Sequence, residues 1–258
     1  MRVVVLCGGL GTRLREETEY RPKPLVDIGG RPILWHIMKL YAHHGFHDFV
    51  LCLGYRGNMI KEYFLNYEAM NSDFTICLGQ NSQIHYNSCH REQDFQVTLA
   101  DTGQETMTGG RVKRIEQYIS DDLFMLTYGD GLTDANLRAL VEFHRSHGKM
   151  ATVTTVRPFV RFGSVTLDAA GAVRAFAEKP RSDGWISAGF FVFNRGVFDY
   201  LGGDDCILER EPLERLASEG ELIAYRHEGF FYAMDSVRDH QVLSQLWASG
   251  KAPWKIWQ

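Results

Sequence analysis

The chain has 258 residues, a formal net charge of −4, and a composition that is 45% hydrophobic, 12% aromatic and 23% charged. This balance suits a packed α/β domain and offers no electrostatic footprint for nucleic acid or for an anionic membrane. No apolar run reaches the length of a bilayer span, and the N-terminal run is too short for a secretory signal. The five cysteines (Cys7, Cys52, Cys77, Cys89, Cys206) lack C-x-x-C spacing, which argues against a disulfide framework or a zinc site and suits a reducing cytoplasm.

Residues 2–7 form a valine-rich run with the pattern of a buried parallel strand. "RPILWHIMKLYAHHG" predicts a helix with Pro32 in its first turn and Gly45 as its stop, and Ile33, Leu34, Ile37, Met38 and Tyr41 share one face. "DFVLCLG" predicts a second buried strand, "NMIKEYFLNYEAM" a helix, "FQVTLAD" a strand, "GRVKRIEQYI" a short helix and "LFMLTYGD" a third strong strand. "TDANLRALVEFHRSHG" predicts a helix capped by Thr133 or Asp134 and stopped by Gly148. Alternating strands and helices imply a mostly parallel sheet covered on both faces. Beyond residue 150, "MATVTTV", "FGSVTLD", "AVRAFAE" and "GFFVFN" are strand-like pieces with short links, which predict antiparallel pairs. No linker or repeat interrupts the chain. A single domain over 1–258 is expected, Rossmann-like with a mixed sheet, an N-terminal part over 1–150 and an elaborated part over 151–258.

The segment "GGLGTRL" (8–14) follows the first strand directly. Gly9 and Gly11 match the first two glycines of G-x-G-x-x-G, but Leu14 replaces the third, which disfavours a dehydrogenase, and no G-x-x-x-x-G-K-[ST] is present. Glycines here relieve a tight turn or let backbone N–H groups approach phosphate oxygens. Arg13 and Lys23 favour the second reading. Arg13 can grip a phosphate bidentately, and Lys23 lies in "RPKP", between two prolines that fix its neighbours' φ. In open α/β sheets a ligand lies beyond the carboxyl ends of the strands, where "GGLGTR", "TYGDG" and "FVFN" are expected. Asp130 in "YGDG" lies between glycines that leave it uncovered, the alternative being an ordinary turn aspartate, and Asp235 in "AMDS" taken alone reads as a helix N-cap.

"GGLGTRL" with "RPKPLVDIGGRPILWHI", continued by "YGDG", "RFGSV", "FAEKP", "AGFFVFN" and "AMDS", resembles the sugar-1-phosphate nucleotidyltransferases over nearly the whole chain. "CLGYRGNMIKEYF", "DTGQETMTGGRVKRI" and "LWASGKAPWKIW" are similar to the branch of that family that uses CTP and glucose 1-phosphate. The resemblance implies the nucleotide-diphospho-sugar transferase type of fold with an antiparallel sugar-binding C-terminal portion, and release of pyrophosphate. It implies Mg²⁺ held by Asp130 and Asp235, with Arg13, Lys23 and Lys179 as further catalytic groups. It implies nucleotide contacts from Leu6, Cys7, Gly8, Gly9, Leu10, Gly11, Thr12, Arg13, Lys23, Thr106, Arg111, Gly129 and Asp130. For Thr106 and Arg111 the alternative is a cap and a surface arginine. It implies sugar-phosphate contacts from Gly163, Glu178, Lys179, Ser187 and Gly189.

There are departures. Ser187 and Ala188 stand where close relatives carry Asn and Gly, which bears on the identity of the sugar. Where thymidylyl relatives carry a Q-x-P-x-G-like segment this chain reads "LGQNSQIHYN", so Gln80 and Asn81 are candidates to read cytosine. The same chemistry on another sugar phosphate or nucleotide, or a non-catalytic regulator that binds a nucleotide sugar, are the alternatives. His36, His43, His44 and His47 lie on or beside a helix without H-E-x-x-H and read as structural or surface residues. Trp247, Trp254 and Trp257 suggest a subunit contact and hence a homo-oligomer; the alternative is packing back onto the same domain.

Overall fold

The computed structural model describes residues 1–9, 11, 14–79, 83–88, 90, 92, 94–158 and 162–257. Leu10, Thr12, Arg13, Gln80 and Asn81, all singled out above, lie outside the described residues.

The apolar run Val3–Leu6 is buried at every position because it is an interior strand of a sheet covered on both faces. It pairs in parallel with Asp48–Leu53 on one side and Leu123–Tyr128 on the other, and Asp48–Leu53 pairs in parallel with Gln96–Asp101. The seven-stranded sheet runs Leu222–Arg226, Ala151–Val156, Ile186–Asn194, Leu123–Tyr128, Val3–Leu6, Asp48–Leu53, Gln96–Asp101. Only Ile186–Asn194 is antiparallel to its neighbours there, and Ala151–Val156 pairs in parallel with Leu222–Arg226. The strands Ser164–Leu167 and Val173–Ala177 form the expected antiparallel pair, but as a separate two-stranded sheet. This reversal corrects one expectation. Asn194 pairs with Leu123, so "FVFN" ends at the edge opposite the glycine turn. The start of that strand, with Ser187 and Gly189, is the end that reaches the glycine-turn edge.

Two core layers flank the sheet, as alternation along the strands requires. Val3 and Val5 join Ile33, Leu34, Ile37, Met38 and Tyr41 on one side, while Val4 and Leu6 join Val112, Ile115, Phe191 and Phe198 on the other. The helix Ile33–His43 begins one residue later than its proline, since Pro32 is the N-cap, and Gly45 ends the turn with φ 86°. "NMIKEYFLNYEAM" is two helices, Gly57–Leu65 and Tyr67–Asn71, broken at Asn66. Asn136, and neither Thr133 nor Asp134, caps Leu137–His147: its side chain accepts from the Ala139 N–H at 3.1 Å. Thr133 is unavailable because Gly131–Thr133 pairs with Phe231–Ala233.

The tryptophans at the end of the chain fold back on their own domain, so the subunit contact inferred from them has no support in their packing. Trp254 is fully buried, stacked with Phe230 and Trp247, and its indole N–H donates to His36 Nδ1 at 3.4 Å. His36 Nε2 donates to the Ile28 carbonyl at 2.9 Å. Burial pushes this imidazole down to about 4, in keeping with a neutral ring that donates at one nitrogen and accepts at the other. No helix among the described residues is long and apolar enough to cross a membrane.

Candidate functional site

At the carboxyl edge of the parallel strands lies a cavity of about 440 Å³, within the range of small-molecule sites. The first strand and its turn contribute Leu6, Cys7, Gly8, Gly9 and Gly11 to its lining. The segment before and into the helix Thr108–Arg114 contributes Thr106 and Arg111. Gly129 and Asp130 follow the central strand, and Lys23 and Asp235 complete the predicted set. Every described residue expected to contact the nucleotide therefore meets in one place.

Arg111 is neither a surface residue nor a loose contact. It is 5% exposed, and its guanidinium donates to the carbonyls of Leu53 (3.1 Å), Gly103 (2.6 Å), Gln104 (3.1 Å) and Gly8 (3.1 Å) and to Thr102 Oγ1 (2.9 Å). One planar fork thus ties the glycine turn to two neighbouring loops. Gly8 has to be glycine for this, because a Cβ would overlap the guanidinium. Thr106 is buried, and the N-cap position of the helix falls to Met107, without a side-chain cap bond. The Cys7 thiol is also buried; burial, and after it the proximity of Cys52 and Asp130, raises its pKa well above the ordinary value, which suits packing under the turn and not nucleophilic chemistry.

Lys23 starts a 3₁₀ turn, Lys23–Leu25, between Pro22 at φ −66° and Pro24. Its ammonium lies 2.5 Å from Asp130 Oδ2 and 2.9 Å from Asp235 Oδ1. Burial alone would lower its pKa, but the two carboxylates outweigh burial and raise it, so the lysine is charged. Asp235 is not the helix cap. Ser236 is, in a capping box with Asp239: Ser236 Oγ accepts from the Asp239 N–H at 3.3 Å, and Asp239 Oδ2 accepts from the N–H groups of Ser236 (2.8 Å) and Asp235 (3.2 Å). The box holds the backbone that presents Asp235. Ser236→Ala is expected to lower stability by about 1 kcal/mol, the usual worth of such a cap, measured by urea denaturation.

The predicted sugar-phosphate residues lie outside this lining. Ser187 and Gly189 adjoin it: Gly189, at φ 75°, packs on the Tyr128 ring so closely that any Cβ would overlap it, and its N–H donates to Ser187 Oγ at 3.2 Å. Glu178 and Lys179 follow the strand Val173–Ala177, more than half exposed and 3.5 Å apart, with Gly163 packed beside Phe176 and Glu178. Lys179 has φ 48°, in the left-handed region that few non-glycine residues adopt and that Arg56, at φ 49°, shares.

The lining also holds residues that the sequence reading did not single out, among them Pro24, Gln104, Glu105, Met107, Thr108 and Tyr128. Most adjoin a motif that was noticed, so proximity to "TGGR" and "GDG" was the available signal.

An open α/β sheet with a glycine turn, a paired lysine and two carboxylates at its carboxyl edge defines a protein built to hold phosphorylated ligands. Residues 2–221 match the family described as nucleotidyl transferase. Over 261 aligned residues, covering all of both chains, the sequence is 51% identical to the glucose-1-phosphate cytidylyltransferase of Salmonella typhi. It is 44% identical over 258 residues, again all of both chains, to the probable glucose-1-phosphate cytidylyltransferase of Bacillus subtilis. The crystal structure of HddC from Yersinia pseudotuberculosis superimposes with a TM-score of 0.71 at 22% identity, over 95% of this chain and 99% of that one, which speaks to the fold. The chain belongs to the nucleotidyl transferase family.

Proposed function

We propose that this enzyme transfers a cytidylyl group from CTP to α-D-glucose 1-phosphate, giving CDP-glucose and pyrophosphate. Full-length identity to the glucose-1-phosphate cytidylyltransferases supports the choice of substrates. The observation that carries the chemistry is the convergence of Lys23, Asp130 and Asp235 beside the glycine turn.

An oxygen of the sugar phosphate attacks the α-phosphorus of CTP; a new P–O bond forms, and the bond to the β-phosphate breaks as pyrophosphate leaves in line. The attacking phosphate is ionised near neutral pH, so the protein supplies position and countercharge, with no general base. Backbone N–H groups of the glycine turn approach the triphosphate, which Arg13 grips at its β and γ phosphates. Lys23 neutralises charge at the α-phosphate. Asp130 and Asp235 suit Mg²⁺, an ion that takes one or two carboxylates together with substrate phosphate oxygens and would stabilise the crowded negative charge when bound. Lys179 takes the sugar phosphate, and Glu178, with Ser187, takes sugar hydroxyls. In this reading residues 1–150 serve the nucleotide and residues 151–258 the sugar, with Asp235 of the second part reaching the nucleotide phosphates, and the enzyme works in the cytoplasm.

The test is pyrophosphate release across a panel of triphosphates and sugar 1-phosphates. CTP with glucose 1-phosphate is expected to have the highest kcat/KM, since cytosine and uracil differ at the 4-amino group and N3 and a site bonded to that edge discriminates between them. Equal rates with UTP and CTP would refute the base preference, and faster turnover of another hexose 1-phosphate would move the assignment to that sugar.

A further inference from the structure

Glu209 stands outside every motif, yet it joins two walls of the cavity. Tyr128 donates its phenol hydrogen to Glu209 Oε1, and Thr108 Oγ1 donates to Oε2 of the same carboxylate at 2.6 Å. Thr108 opens the helix that carries Arg111, the side chain that fastens Gly8. Tyr128 ends the central strand, one residue before Gly129, with its ring packed beneath Gly189. Both hydroxyl hydrogens are committed to Glu209. Thr108 Oγ1 in addition accepts from the Leu208 N–H at 3.0 Å, so its bonding is satisfied from both sides, whereas the phenol oxygen keeps acceptor capacity alone.

We propose that Glu209 is a positioning residue for nucleotide binding: its carboxylate sets the separation of Tyr128 and Thr108 across the cavity and turns the Tyr128 oxygen into an acceptor. Only a group that accepts at both ends can do this. A glutamine of the same size offers one accepting oxygen and one donating amide, so one of the two hydroxyls would have to reverse. Glu209 is itself exposed, so its removal leaves the two core layers untouched. The inference rests on CTP as the ligand, and the experiment separates the two ideas.

CTP is titrated calorimetrically into the wild type, Glu209→Gln, Tyr128→Phe and the double variant, with kcat and KM for CTP measured alongside. Each single variant is expected to weaken CTP binding about tenfold, the usual scale for one lost charge-assisted hydrogen bond. The effect should fall on KM more than on kcat, with the urea midpoint of Glu209→Gln unchanged. The double variant should be no weaker than the worse single one, because both remove the same tie. Wild-type affinity in Glu209→Gln, independent and additive effects of the two substitutions, or a loss of affinity matched by a fall in the unfolding midpoint would each overturn the proposal. Failure of the wild type to bind CTP would instead overturn the nucleotide assignment on which it rests.

Discussion

Asp130→Asn and Asp235→Asn are each expected to lower turnover by about a hundredfold or more at saturating magnesium, on the order of 3 kcal/mol of lost charge stabilisation. Each substitution keeps the volume of the side chain and removes one negative charge from the site where the Lys23 ammonium meets both carboxylates. Both aspartates are partly exposed, at 27% and 37%, and sit beyond strand ends and not within the core, so the loss should come without unfolding. Steady-state pyrophosphate release, with a thermal melt as the control for folding, makes the measurement. Turnover near the wild-type value in both variants would end the metal assignment.

Lys23→Ala is expected to lower kcat roughly a hundredfold, the scale seen when one fixed donor to developing charge is removed. CTP affinity should change less than kcat, because a contact that tightens as pyrophosphate departs is felt mainly in the transition state. The geometry gives a reason for the size of the effect. The lysine is 14% exposed and bridges two carboxylates, and its backbone is held between Pro22 and Pro24, so its charge is placed before substrate arrives. Pre-steady-state rates with CTP in excess, set beside the dissociation constant for CTP, separate the two quantities. A variant altered only in CTP affinity would show that Lys23 acts on binding and not on the reacting phosphorus.

Much of the sheet and of the lining of its cavity was legible in the sequence because those signals are local. The apolar runs at 3–6, 48–53 and 123–128 have the length and pattern of strands buried on both faces, and a glycine turn at the end of the first then lies at the carboxyl edge. The basic loop and the D-G pair single out Lys23 and Asp130, and both line the cavity at that edge. The tertiary structure decided what depends on contacts far apart in the chain. Periodicity marks Ile186–Asn194 as a strand but carries no direction, and its antiparallel insertion between two strands brings Ser187 and Gly189, not "FVFN", to the site. Composition marks Trp254 as unusual but cannot tell a neighbouring subunit from His36, 218 residues away in the same chain. The pairing of Lys23 with Asp235, 212 residues apart, and of Tyr128 with Glu209, 81 apart, leaves no local pattern, because a hydrogen bond across such a distance is satisfied only after the sheet has brought its ends together.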